Sequence, residues 1–297
     1  MKQRGAIALL ITVMFVILIT VAIGFGLKEV NHASKIVQNE NFTYQSSIIV
    51  EDILDILKTN KDISAVLEAN SAEMFYLFLS QTAFIPFEAS GLEIVMKIES
   101  ARGKFSPLMI DEKNLPNIQE YLNRSMINSR YLDILLDGIG KIKEDNSYNS
   151  AIFDENPYLY RDSIVSFKHL GKINDFYRRE FHDNALKNID FTKLFYLSSQ
   201  KDLTIDLNYA TPEVWEMLLG CTKERAEFLY DGEGSYTQLS DLELDEQEKE
   251  NLSHFKTSFY EPTLFVTIEI REKNNQAFIT FEYDVKKKKG SNFVYEI

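Results

Sequence analysis

The chain has 297 residues, 45% of them hydrophobic, including 21 Phe and 15 Tyr, enough for a sizeable packed core and incompatible with wholesale disorder. A net charge of −13 makes nucleic acid and anionic lipid surfaces poor partners, because a phosphate-binding face needs a basic excess. Cys221 stands alone, which excludes an internal disulfide and points to a buried structural thiol.

Met1-Lys2-Gln3-Arg4-Gly5 runs directly into Ala6–Leu27, twenty-two residues without a charge. As a helix this run spans roughly 33 Å, against about 30 Å for a hydrocarbon core. It is long for a secretory signal, whose apolar region is usually about 7–15 residues. Lys2 and Arg4 precede it, so the positive-inside rule keeps the amino terminus in the cytoplasm and sends the rest across the membrane.

Val30, Ala33, Ile36 and Val37 then recur at helical spacing, opposite Lys28, Glu29, Asn31, Lys35 and Gln38. This describes an amphipathic extension that leaves the bilayer and packs on something apolar. Ile48–Leu57 reads as helix with Ile49, Ile53, Ile56 and Leu57 on one stripe, broken at Asn60 and Lys61. Met74–Leu79 is an apolar run of either state.

Alternation first appears at Leu92–Ser100, where Leu92, Ile94, Met96 and Ile98 share a face before a turn at Arg102-Gly103. From Leu115 to about Phe255 the spacing is helical. Ile118, Tyr121 and Leu122 form one set; Leu132, Leu135, Leu136 and Ile139 form another, with Gly138 and Gly140 as stops. Ile164–Phe181 and Pro212–Tyr230 continue in kind. After Pro262, strands are expected at Leu264–Arg271, Ala277–Val285 and Asn292–Ile297. The turns between them are Lys273-Asn274-Asn275 and Lys286–Ser291, and the four lysines read as a solvated hairpin tip. Strands in two separated stretches with helices between imply an α+β fold: an antiparallel sheet interrupted by a large all-α insertion and closing on the amino-terminal helix.

Catalytic signatures are missing. There is no Gly-x-Ser-x-Gly, P-loop, Gly-x-Gly-x-x-Gly or metal triad, and acid pairs such as Glu51-Asp52 or Asp111-Glu112 are ordinary in so acidic a chain. His32, His169, His182 and His254 lack metal-ligand spacing. An enzymatic role is not expected.

Several stretches together resemble a known family. Arg4-Gly5-Ala6 before a long apolar helix resembles the processing site of type IV pilin-like precursors, which implies prepilin peptidase cleavage between Gly5 and Ala6 and methylation of the new terminus. The pilin superfamily packs its long helix on an antiparallel sheet, and a large helical insertion is characteristic of the K-type minor pseudopilin of type II secretion. Ile205-Asp206-Leu207-Asn208-Tyr209-Ala210-Thr211-Pro212-Glu213-Val214 is similar to a segment of that family. So are Lys168-His169-Leu170-Gly171-Lys172-Ile173 with Tyr177, and Ser100-Ala101-Arg102-Gly103-Lys104-Phe105. The Asn-Leu-Asn that commonly follows the last of these is here Ser106-Pro107-Leu108.

The resemblance implies a leader at 1–5, a membrane helix at 6–27 and a helix extension with the first sheet portion at 28–106. An inserted helical domain at 107–260 and closing strands at 261–297 complete the layout. It implies a single-pass inner-membrane protein with a periplasmic body, partnered by I- and J-type minor pseudopilins and the major pseudopilin, with an exported protein as a further candidate. The fifth mature residue would be Leu10, where most relatives carry glutamate. A charged group at the bilayer centre costs about 2.5–3.5 kcal/mol on insertion scales, so it needs a partner. The family's glutamate pairs with the amino group of the subunit ahead, and a tip subunit has none ahead of it; Leu10 therefore fits the tip. A type IV pilus minor pilin is the neighbouring alternative.

Leu207–Leu244, within 205–250, also resembles a helix-hairpin-helix whose hairpin Gly220-Cys221-Thr222 lacks the second glycine of DNA-binding versions. Asp202–Glu250 carries fourteen acids against three bases, a net −11, which repels a duplex. A membrane-anchored nucleic-acid binder is thus the less favoured reading. The family resemblance also implies calcium in the helical domain. Asp231-Gly232-Glu233-Gly234, with Asp241, Glu243 and Asp245, is the most ligand-like loop, although a solvated acidic face is the preferred account of these residues.

Overall fold

The computed structural model describes residues 40–89, 91–143, 147–272 and 275–296. The leader junction Gly5–Ala6, Leu10, the apolar run 6–27 and the amphipathic extension to Gln38 lie outside the described residues. No helix among the described residues is long and apolar enough to cross a membrane.

Residues 40–59 form a helix, α1, followed by α2 (Lys61–Ala69) and α3 (Ala72–Thr82). Phe42, Ile49, Val50, Ile53 and Leu57 of α1 are buried, whereas Ile56 is 57% exposed. Ile56 thus marks the edge of the expected stripe: at about 100° per residue it falls just outside the arc that runs from Ile49 through Ile53 to Val50, where the helix turns toward solvent. Asn60 does interrupt the helix, yet it also starts the next one. Its Oδ1 accepts from Asp62 N (2.7 Å) and Ile63 N (3.1 Å), satisfying two amides of the first turn of α2. Met74–Leu79 is settled as helix, within α3, capped by Ser71.

The sheet has five antiparallel strands in the order β1-β2-β5-β6-β7. They are β1 (Phe84–Ala89), β2 (Leu92–Ser100), β5 (Thr263–Glu272), β6 (Asn275–Asp284) and β7 (Lys289–Glu296). β2 spans the expected residues. β1 is not legible as alternation, and Pro86 within it is tolerated because β1 is an edge strand whose outer amides need no partner. β7 begins at Lys289 rather than Asn292, so one of the four lysines belongs to the strand. Ile94, Met96 and Ile98 pair with Ile270, Ile268 and Val266, which in turn meet Ala277, Ile279 and Phe281 on the same face. That face packs against α1, α2 and α3 in one continuous apolar core. Each fully buried Val, Ile or Phe contributes roughly 1.5–3 kcal/mol by leaving water.

Neighbouring strands β2 and β5 are separated in sequence by residues 101–262, which form a helical insert with its own core. Its main helices are α4 (Leu115–Arg124), α5 (Arg130–Ile139), α7 (Phe167–Phe181), α9 (Pro212–Leu219), α10 (Lys223–Asp231) and α11 (Glu246–Ser253). One-turn helices α6 (Ile152–Glu155) and α8 (Phe191–Leu194) connect them. Gly140 caps α5, whereas Gly138 lies inside its last turn. Pro212–Tyr230 is not one helix: Gly220, at φ +66°, ends α9, and Thr222 caps α10. A two-residue parallel pair, β3 (Ile205–Asp206) with β4 (Thr257–Ser258), brings together the chain before α9 and the chain after α11.

The α1 register has a direct test. Ile53→Ala is expected to cost about 2–5 kcal/mol in urea unfolding, and Ile56→Ala at most about 0.5 kcal/mol. Equal losses at both positions would contradict the buried face described here.

Candidate functional site at the joint between sheet and insert

Two of the three family-like segments meet in space. Ser100–Phe105 leaves β2, and Ile205–Val214 crosses it main chain to main chain. Asp206 N donates to Arg102 O (2.8 Å), and Thr211 N donates to Gly103 O (3.2 Å). A Cβ on Gly103 would lie 2.0 Å from the Tyr209 carbonyl oxygen, so only glycine allows this approach. The third segment, Lys168–Tyr177, lies away from the joint, in α7. There Leu170, Ile173 and Tyr177 are buried in the insert core, and the Tyr131 hydroxyl donates to Asn174 Oδ1 (2.7 Å).

Several side chains of the crossing segment have distinct roles. The Asn208 amide donates to Tyr236 O (2.8 Å) and Phe259 O (2.7 Å) and accepts from Tyr236 N (2.9 Å), tying two stretches of main chain to one buried group. The next residue, Tyr209, leaves the insert and enters the sheet-side core, edge-on to Phe75 of α3 at 5.5 Å. Its pKa is pushed up, first by burial and then by Asp206. Thr211 caps α9 through Val214 N (3.3 Å) and donates to Lys193 O (2.9 Å); Pro212 suits the first helical position because its missing N–H would have had no intrahelical partner.

Two buried carboxylates anchor the joint. Asp206 is fully buried and accepts from Glu261 N (2.8 Å) and Asn208 N (3.1 Å). Burial outweighs those hydrogen bonds and raises its pKa to about 7. Glu282 of β6 points to the face opposite α1–α3, 1% exposed. It pairs with Arg102 (2.5 Å), while Tyr196 of the insert and Asn292 of β7 also donate to it. The Arg102 guanidinium lies over the Tyr196 ring, 5.7 Å from its centroid. Burial first, and Glu282 second, push the Tyr196 pKa up, so its proton stays on the hydroxyl for donation.

The acidic loop expected to be most ligand-like is instead part of this contact. Gly234, at φ +79°, lies flat against Tyr76 of α3; a Cβ there would meet the ring at 2.3 Å. Glu233 is half-buried beside it, and burial raises its pKa. Asp241 accepts from Thr237 N (2.9 Å), Thr237 Oγ1 (2.8 Å) and Gln238 N (3.1 Å), which hold its pKa down to about 2. Asp245 caps α11 through Glu248 N (2.8 Å). No group of three or more His, Cys, Asp or Glu residues among the described residues could hold a metal. With Asp241 and Asp245 engaged by main-chain amides and Glu233 half-buried, the described carboxylates of this loop do not fit a calcium site.

In the segment that resembles a helix-hairpin-helix, α9 and α10 are joined by the short turn Gly220-Cys221-Thr222, beside a hollow of about 540 Å³ lined by Glu120, Arg124, Arg225, Asp245 and Glu248. Its arginines are engaged: Arg124 with Glu120 (2.5 Å) and Cys221 O (3.1 Å), Arg225 with Glu248 (3.3 Å). Cys221 is half-buried, its thiol turned toward Trp215 O at 3.7 Å, and burial raises its pKa to about 11, far from a reactive thiolate. His169 is buried with neither ring nitrogen hydrogen-bonded, and His254 Nδ1 meets Asn117 Oδ1 at 2.8 Å.

No family model matches the sequence, and no curated protein matches it. Among solved structures, a chain in the crystal structure of the GspK–GspI–GspJ complex from the enterotoxigenic Escherichia coli type 2 secretion system matches with a TM-score of 0.50. Identity is 10%, and the match covers 88% of this chain and 97% of that one. The likeness is one of fold, and it takes in the insert as well as the sheet.

Gly103→Ala is expected to cost about 3 kcal/mol or more in urea unfolding, because the clash is with backbone that cannot rotate away. Asp206 generates a pH prediction. Its folded pKa of about 7 exceeds the ordinary value, so its contribution is complete below about pH 4 and is lost as pH rises through 7. The stability difference between wild type and Asp206→Asn should therefore fall by on the order of a few kcal/mol from pH 4 to 7, and a flat difference would refute the assignment.

Proposed function

We propose that this chain is a K-type minor pseudopilin that works by assembly at the tip of a periplasmic pseudopilus in type II secretion. The observation that carries the reading is the fold: a helix-backed antiparallel sheet interrupted by a helical insert, matched over 88% of the chain by a protein solved in complex with two minor pseudopilins. The leader adds its own support, since Arg4-Gly5-Ala6 before an uncharged run is the pattern a prepilin peptidase cuts.

In this reading Ala6–Leu27 holds the chain in the inner membrane until it packs laterally against the helices of I- and J-type subunits and the major pseudopilin. Leu10 removes the carboxylate that a tip position would leave unpaired. The body contributes mechanics rather than chemistry. A push delivered to the sheet reaches the insert through the Gly103–Tyr209 crossing and the Arg102–Glu282 pair, so the insert is carried rigidly toward an exported protein or a partner head.

Mass spectrometry of the mature amino terminus tests the reading, in cells with and without prepilin peptidase. The expected product starts at Ala6 and depends on the peptidase; Gly5→Leu should remain uncut, insert normally in the membrane and fail to support secretion. Normal processing of that variant, or an intact Met1 on assembled protein, would overturn the proposal. Salt-sensitive duplex binding by the full chain would instead favour a nucleic-acid role.

A further inference from the structure

The oxygen chemistry that suits calcium does converge at one place in the insert, and a side chain already occupies it. Arg225 lies in the first turn of α10. Its Nη2 donates to Leu242 O and Glu243 O, each at 2.9 Å, and lies 3.4 Å from Glu248 Oε2; its Nε lies 3.3 Å from Glu248 Oε1. Two main-chain carbonyls and a carboxylate reached through both oxygens form a donor set of the kind that holds a hard divalent cation. Glu243 sits at φ +48°, at the end of the tight turn Leu239–Leu242, and Glu248 is 12% exposed. The first turn of a helix is the unfavourable end for a positive side chain, so the placement of Arg225 depends on these oxygens to offset the helix dipole.

We propose that the Arg225 guanidinium is the insert's built-in cation, joining α10 to the 239–248 turn as a bound metal would, so that the insert folds without calcium. The nearby carboxylates leave little for a competing ion. Asp241 is spent on Thr237 and Gln238. Asp245 and Glu248 cap each other's main chain, Glu248 Oε2 accepting from Asp245 N at 3.1 Å. A guanidinium suits the position better than an ammonium, because its planar fork reaches carbonyl and carboxylate oxygens at once. The inference concerns the insert's own residues and holds whether or not the chain serves in secretion.

The single tryptophan makes the test local. Trp215 in α9 is fully buried in the insert core, in the helix that packs on α10, so its fluorescence reports unfolding of this module in the purified full chain. The wild-type midpoint should agree within about 1 °C between millimolar calcium and excess chelator, whereas calcium at a hundred times the Kd of a real site would raise it by several degrees. Arg225→Met should lower the midpoint by about 5 °C in both media, and Arg225→Lys should fall between Met and wild type. A calcium-dependent rise of several degrees in the wild type would overturn the proposal, as would an Arg225→Met midpoint equal to the wild type. Should Arg225→Met fail to fold, the wild-type calcium comparison and the Arg225→Lys midpoint decide on their own.

Discussion

The approach of the Tyr209 main chain to Gly103 is the constraint on which this architecture depends. A sheet whose neighbouring strands β2 and β5 are separated by residues 101–262 must hold both ends of that excursion in register, or the strands would have to find each other across a long flexible loop. The chain solves this close to the sheet. Arg102 and Gly103 accept main-chain hydrogen bonds from Asp206 and Thr211, β3 pairs with β4 just before β5 begins, and Ala101 N donates to Thr263 O at 2.8 Å. The insert is thereby pinned at its exit, its middle and its return within a few residues of one another. Only a residue without Cβ permits the contact.

Around that crossing several buried polar groups are paired with main chain and with one another, while the Tyr209 hydroxyl is buried without a hydrogen-bond partner. Asn208 satisfies three main-chain groups with one side chain, and Asp206 takes two amides. Glu282 gathers Arg102, Tyr196 and Asn292 from three different parts of the chain. Removing one partner from such a network costs more than the hydrogen bond itself, because a buried group is left without water or partner. Tyr209 adds an apolar link, carrying an insert residue into the sheet-side core beside Phe75. The two cores are thus joined by both polar and apolar contacts.

Charge in this acidic chain is used mainly for local architecture. Asp206, Asp241 and Asp245 accept main-chain amides, Glu248 faces Arg225, and the four-lysine hairpin is anchored by Lys287 on Asp284 and by Lys286 over the Tyr260 ring. Seen as a string, Asp231–Asp245 suggests metal binding. In three dimensions Gly234 lies against Tyr76, and the capping carboxylates are already engaged with main-chain amides.

Residues alone specified those elements whose period is unambiguous. Leu92–Ser100 alternates because one face meets an apolar layer, α4 and α5 repeat at helical spacing, and the closing strands show the same alternation, so their type and order follow from side-chain pattern. Where pattern is short or doubly determined, tertiary contact decided. Phe84–Ala89 becomes a strand because β2 offers it an edge, Asn60 starts a helix instead of merely ending one, and Ile56 is exposed because it lies at the margin of the face that α1 buries. The joint lay in plain view as Gly103 and Ile205–Val214, but its meaning did not, because a close crossing of two main chains leaves no periodicity in either. Likewise, no local rule reveals that the oxygens of residues 242, 243 and 248 surround Arg225, since that depends on how α10, the turn and α11 pack together.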